Sequence, residues 1–212
     1  MNFLAHMLCS DGTPHSMLGN FIADFVKGDV EGRFPAEVVE GIRHHRRADL
    51  FTDSHEFFAA SRRLVGSQRR RYAGIIIDVV YDHFLATSWG RYCSTPLDEF
   101  VARVYENLGQ HHVRVPHPVP MVIEKMASED WLRTYGTREG IDRTFRRISR
   151  RLRHENPLGT AIEDLEQNYD LLRDHFHIFF PQVLGRFGVP VLEEGQGVSA
   201  GRERSPFQTK RP

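Results

Sequence analysis

The stretch Tyr72–Trp89, YAGIIIDVVYDHFLATSW, decides the fold. Its three consecutive isoleucines would suit a strand. The run is too long for that, carries no turn signal, and keeps helical spacing through Phe84 and Leu85. It is apolar on more than one face, which marks a buried central helix. Upstream, Leu18, Phe21, Ile22, Phe25 and Val26 recur at helical spacing, predicting a helix over 17–27 with Gly28 as its C-cap. Pro35 opens the next helix, which reaches about Phe51. Thr52 or Ser54 then caps a successor through Leu64. Downstream, Thr95-Pro96 starts a helix to about Leu108, and the proline- and histidine-rich 111–120 is a loop. Further helices are predicted over 121–135 and 137–153, and from Ala161 to about Phe180-Pro181. The expectation is an all-α, single-domain helical bundle over 1–187, with a disordered tail over 188–212 rich in Gly, Glu, Arg, Ser and Pro.

The chain has 212 residues with 28 basic and 28 acidic side chains. A balance of that kind gives no overall field for nucleic acid or an anionic membrane, so neither is an expected partner. Cys9 and Cys93 are too few for a disulfide framework or a cysteine-rich zinc site, and a cytoplasmic location is expected. The start, MNFLAHMLCSDG, does not have the form of a signal peptide, and no apolar run is long enough for a membrane span. Only Lys27, Lys125 and Lys210 are lysines, so the positive charge is almost all guanidinium, which suits two-pronged contacts to phosphate or carboxylate. The runs Arg69-Arg70-Arg71 and Arg143–Arg153 read first as solvated faces, and secondarily as docking sites for an acidic partner.

The chemistry concentrates in the first ninety residues. His45, Asp49 and Asp53 follow one another at spacings of four, which places them on one helical face. Asp78 and Asp82 share a face of the central helix, with His83 beside them, and Asp24 interrupts the helix 17–27 four residues after Asn20. Buried carboxylates are costly unless paired or bound to metal. Several of them, together with His6, His45 and His83, suit a divalent cation of the manganese, magnesium or iron(II) kind. Arg43, Arg46 and Arg47 beside His45 could hold phosphate oxygens, and a metal there would activate water for phosphoester hydrolysis. The competing reading is a structural network in which Asp78 and Asp82 bond Arg46 or Arg47, in a helical interaction protein that is not an enzyme.

MNFLAH at 1–6, GNFIADFVKG at 19–28, GIRHHRRADLFTDSH at 41–55 and DVVYDHFLATSWG at 78–90 together resemble the acyl carrier protein phosphodiesterases, and HFHIFFP at 175–181 fits their aromatic last helix. The resemblance implies an all-helical fold related to the HD phosphohydrolases. It implies a manganese-dependent hydrolase that removes 4′-phosphopantetheine from holo-acyl carrier protein, an enzyme of lipid metabolism. The family's functional aspartate falls on Asp24, its histidine on His45 with Asp49 as acidic companion, and its later Asp-His on Asp82 and His83. On this reading Asp24, His45, Asp49 and Asp82 are catalytic. Asp24, His45, Asp82, His6 and His83 bind metal, Arg46 and Arg47 hold the substrate phosphate, and Asn20, Asp53 and Asp78 support them. The chain has no His-Asp dipeptide, so the usual HD signature is missing. Another HD-like phosphohydrolase acting on a nucleotide is the alternative enzyme.

Overall fold

The structure is a computed structural model that describes residues 1–190. Ten α-helices make up the described residues, with no strand among them. They are α1 (Phe3–Leu8), α2 (Pro14–Ile22), α3 (Ala36–Ser54), α4 (Glu56–Leu64) and α5 (Ala73–Thr87), then α6 (Leu97–Gly109), α7 (Val119–Ser128), α8 (Trp131–Thr134), α9 (Arg138–Arg151) and α10 (Ile162–Arg186). The central helix forms as its apolar pattern requires: α5 packs against α1, α4, α9 and α10. Ile76, Ile77, Val80, Phe84 and Leu85 are all at or below 1 % exposure. Burying side chains of this size stabilises by about 1.5–3 kcal/mol each.

α2 and α3 approach each other closely. A Cβ on Gly41 would lie 2.6 Å from the Ser16 carbonyl oxygen and 2.9 Å from Gly19 Cα. A Cβ on Gly19 would lie 2.3 Å from the Val38 oxygen. The two glycines let the backbones touch, which sets the distance between the end of α2 and the middle of α3.

Several boundaries differ from the sequence pattern. The helix expected over 17–27 ends at Ile22 and continues as a 3₁₀ turn, Ala23–Phe25, that carries Asp24. Cap chemistry moves one residue along before α4: His55, not Thr52 or Ser54, accepts from the Phe57 N–H. The segment 121–135 splits into α7 and α8 because Asp130 sits at φ 48°, a left-handed conformation that aspartate tolerates. α10 runs through Pro181 to Arg186, past its expected end. Phe179, Phe180, Val183 and Leu184 are buried on both sides of the proline, so packing outweighs the lost backbone bond. Gly188 at φ 71° closes α10, and the Val189 N–H returns to the Leu184 oxygen at 3.0 Å. From 191 onward the expected tail lies outside the described residues.

Arg69 is buried, not solvated. Its Nε donates to Asp164 Oδ2 at 2.6 Å and its Nη1 to Thr160 at 2.9 Å. The second Asp164 oxygen accepts from the Gly66 N–H at 2.9 Å. A buried ion pair with every oxygen satisfied pins the segment before α5 to the start of α10.

Candidate functional site

Asp82 ties α1 to α5. It is fully buried, and its Oδ2 and Oδ1 accept from the backbone N–H groups of Leu4 at 2.8 Å and Ala5 at 3.0 Å. Asn2, at the N-cap of α1, makes no side-chain cap bond, so the orphan donors of this short helix are satisfied from another element. Burial pushes the Asp82 carboxyl up to about 7, against the pull of these two bonds. His83 is also spoken for: Nδ1 lies 2.8 Å from the Tyr135 carbonyl oxygen and Nε2 3.4 Å from the Tyr169 hydroxyl. The structure thus places Asp82 as a cap and His83 in a separate core network, apart from the cluster that follows.

With α1 fixed, His6 stacks on His45 of α3, ring centroids 3.8 Å apart. Asp49 lies one turn beyond His45 and reaches both rings. Its Oδ2 is 3.0 Å from His45 Nε2, and its Oδ1 is 3.1 Å from His6 Nε2. Asp24 adds a second carboxylate, with Oδ1 3.3 Å from His45 Nε2. One donor atom from each of His6, His45 and Asp49 falls within 4.8 Å of the other two, an arrangement able to hold a metal ion.

The electrostatics are those of closely packed carboxylates and imidazoles. Burial alone would depress His45, yet Asp24 and Asp49 outweigh it and raise the imidazole to about 9. Burial, followed by the neighbouring His45, lowers His6 to about 4. Desolvation opposes ionisation of Asp49, but the bonds from His45 and His6 hold its carboxyl far below the usual range. Partial desolvation of Asp24 is likewise outweighed by its bond from His45.

Beside this cluster is a pocket of about 280 Å³ lined by Asp24, Asp49, Asp53 and Asp78 together with the apolar Ile75, Val79 and Ile148. The Met1 ammonium also lines it, 2.9 Å from Asp78 Oδ1 and 3.1 Å from Asp49 Oδ1. Burial is the largest influence on Asp78 and raises its carboxyl, despite the ammonium. No sequence pattern announces Met1, because its contribution is a backbone group brought in by the Asp82 cap.

The arginines do not lie where a phosphate would need them. Arg46 donates to the backbone oxygens of Gly28 at 3.0 Å and Val26 at 2.9 Å, bracing the loop that follows Asp24. Arg47 pairs with Glu40 at 2.7 Å on the exposed side of α3. Asn20 is buried and bonds to the Ser16 oxygen at 3.0 Å and His44 Nδ1 at 3.3 Å, so it supports His44 and not His45.

Among the described residues, no helix is long and apolar enough to cross a membrane. The model of the family described as acyl carrier protein phosphodiesterase matches residues 1–183. A protein of that name from Klebsiella pneumoniae (strain 342) is 35 % identical over 185 residues, covering 87 % of this chain and 96 % of its own. One from Photorhabdus laumondii is 33 % identical over 185 residues, covering 87 % and 93 %. One from Escherichia coli (strain HS) is 35 % identical over 190 residues, covering 88 % and 97 %. No solved structure matches. The family match spans all the elements that build the His6–His45–Asp49 cluster, and the chain belongs to the acyl carrier protein phosphodiesterase family.

Proposed function

We propose that this chain hydrolyses the phosphodiester joining 4′-phosphopantetheine to acyl carrier protein, using a divalent cation held by His6, His45 and Asp49 with Asp24 at its edge. The observation that carries this reading is the convergence of those donors beside an acidic pocket, in a chain of this family. The donor separations of 3.0, 3.1 and 3.3 Å fit neighbouring ligands of one ion. Two imidazoles and a carboxylate favour manganese or iron(II) over magnesium.

A divalent cation in this donor set supplies Lewis-acid activation of a phosphoryl oxygen and of water at neutral pH. To coordinate a cation through Nε2, His45 would have to lose its proton, which would link affinity to pH. Asp49 lies between both imidazoles, where it would share a cation with their Nε2 atoms. Asp24 is 59 % exposed at the pocket edge and ionised, so it can take the proton of the attacking water. Asp78, paired with the Met1 ammonium at 2.9 Å, sets the charge of the pocket wall, and the departing serine oxygen takes its proton from solvent water. Attack at phosphorus breaks the bond to that oxygen and leaves apo-carrier and 4′-phosphopantetheine. Ile75, Val79 and Ile148 limit the water around the diester. Arg46 acts by bracing the Asp24 loop. Both cysteines are free, which fits the reducing cytoplasm where we place the reaction.

The test is incubation with holo-acyl carrier protein and Mn²⁺, followed by mass measurement of the carrier. Loss of the phosphopantetheine mass, blocked by a chelator and by Asp24→Ala, is the expected result. An intact carrier, with the enzyme folded and loaded with metal, would refute the proposal.

A further inference from the structure

A second concavity lies on the other side of the α5 N-terminus. It measures about 270 Å³ and is lined by Arg62, Arg63, Arg70, Ala59 and Ala73. Arg62 and Arg63 come from the last turn of α4, and Arg70 from the 3₁₀ segment Ser67–Tyr72. All three are exposed, and among the described residues none has a carboxylate within ion-pair distance. Arg43, Arg47, Arg133, Arg138 and Arg146 each pair with an acidic side chain, whereas among the described residues Arg62, Arg63 and Arg70, like Arg114, Arg143 and Arg150, do not. What sets Arg62, Arg63 and Arg70 apart is that three guanidiniums without a carboxylate partner line one concave surface.

Helix polarity explains part of this, since cations favour the last turn of a helix such as α4. It does not explain Arg70, which joins the other two from a different element. Arg69 beside it is consumed by Asp164, and that pair holds the segment rigidly in place. The alanines leave room over the cleft floor, and guanidinium forks match carboxylates two-pronged.

Position relates this cleft to the acidic pocket. Ala73 lines the cleft and Ile75 lines the pocket, so both open beside the first turn of α5. The pocket carries four aspartates and by itself repels an acidic partner. We propose that the Arg62–Arg63–Arg70 cleft is the docking surface for an acidic face of the carrier protein, holding it while its phosphodiester reaches the pocket. This assignment rests on the function proposed above. Steering of this kind acts through opposite charge and weakens with salt.

The test is binding of fluorescently labelled holo-carrier to the full-length protein at low and at physiological salt, with turnover measured in parallel. The variant is Arg62→Gln/Arg63→Gln/Arg70→Gln. A charge-matched control, Arg114→Gln/Arg143→Gln/Arg150→Gln, removes three exposed arginines elsewhere. We expect the cleft variant to weaken Kd about tenfold at low salt, flatten its salt dependence and raise KM with kcat within about twofold. The control should bind within about twofold of wild type. Equal binding by cleft variant and wild type, an equal loss in the control, or no binding by wild type would overturn the docking assignment. If the cleft variant loses affinity while wild type never releases the arm, docking stands and the hydrolase reading falls.

Discussion

Replacing Asp82 by alanine separates a capping role from a metal-binding one. Asp82 accepts from the N–H groups of Leu4 and Ala5, and its removal leaves two buried donors without acceptors. Each orphaned donor costs about 1–3 kcal/mol, offset in part because a buried carboxylate no longer has to be desolvated. A net loss of about 2–4 kcal/mol follows. At about 2–4 °C per kcal/mol for a chain of this size, the melting midpoint should fall by roughly 5–15 °C. Because α1 carries His6, affinity for added Mn²⁺ should weaken too, and excess metal should restore turnover. Asp82→Asn retains one acceptor oxygen and should lose about half as much stability. Circular-dichroism melting and metal analysis after dialysis measure the two effects. An alanine variant that melts like wild type but no longer retains metal would make Asp82 a ligand and refute the capping argument.

Three other perturbations test the fold and the site. Arg46→Ala frees the oxygens of Val26 and Gly28, so kcat should fall at least tenfold through displacement of Asp24, and Arg46→Lys should not rescue it. A rise in KM alone, with kcat intact, would instead place Arg46 on the substrate phosphate. Gly41→Ala forces a Cβ to within 2.6 Å of the Ser16 oxygen, and overpacking of this kind costs about 1–3 kcal/mol. Urea unfolding should show that loss, and an unchanged midpoint would mean α2 and α3 separate freely. His177 Nδ1 lies 2.6 Å from the Tyr92 hydroxyl, and burial, with Arg91 and Arg173 nearby, lowers its imidazole to about 4. The unfolded chain therefore binds an extra proton between about 6.5 and 4, and stability should fall as pH drops through that window. His177→Gln should flatten that slope in pH-dependent melting, and a slope equal to wild type would remove His177 from the linkage.

The helices were legible where periodicity is long and apolar. α5, α6 and α9 lie within two or three residues of their predicted spans. What was illegible depends on tertiary contacts. Asp24 keeps helical spacing from Leu18 and Phe21, yet it lies in a 3₁₀ turn because the loop beyond it is braced by Arg46 from α3. Pro181 looks terminal in sequence, and the buried phenylalanines around it carry the helix on. In the site, the i, i+4 step from His45 to Asp49 was readable, and the structure brings the two side chains together at 3.0 Å. His6 joins them from a separate helix. The same periodic logic grouped Asp82 with Asp78, but it cannot tell a carboxylate facing a pocket from one facing two backbone amides.

Where the arginines go bears on whether the acidic pocket is a catalytic or only a structural feature. A structural Asp–Arg–His network would place guanidiniums on the pocket carboxylates, as Arg69 sits on Asp164. α3 has the means, since Arg43, Arg46 and Arg47 lie within six residues of Asp49. Each turns elsewhere: Arg43 to Glu31, Arg46 to two backbone oxygens, Arg47 to Glu40. The cluster is balanced instead by a proton on His45 and by the Met1 ammonium, charges of a kind that a cation can displace or complement. A fixed guanidinium would neutralise the site permanently and fill it, whereas an exchangeable proton leaves its carboxylates and imidazoles free to coordinate. Arg62, Arg63 and Arg70 likewise lie outside the pocket, so in the proposed docking role they would attract a partner without occupying the donors that the chemistry needs.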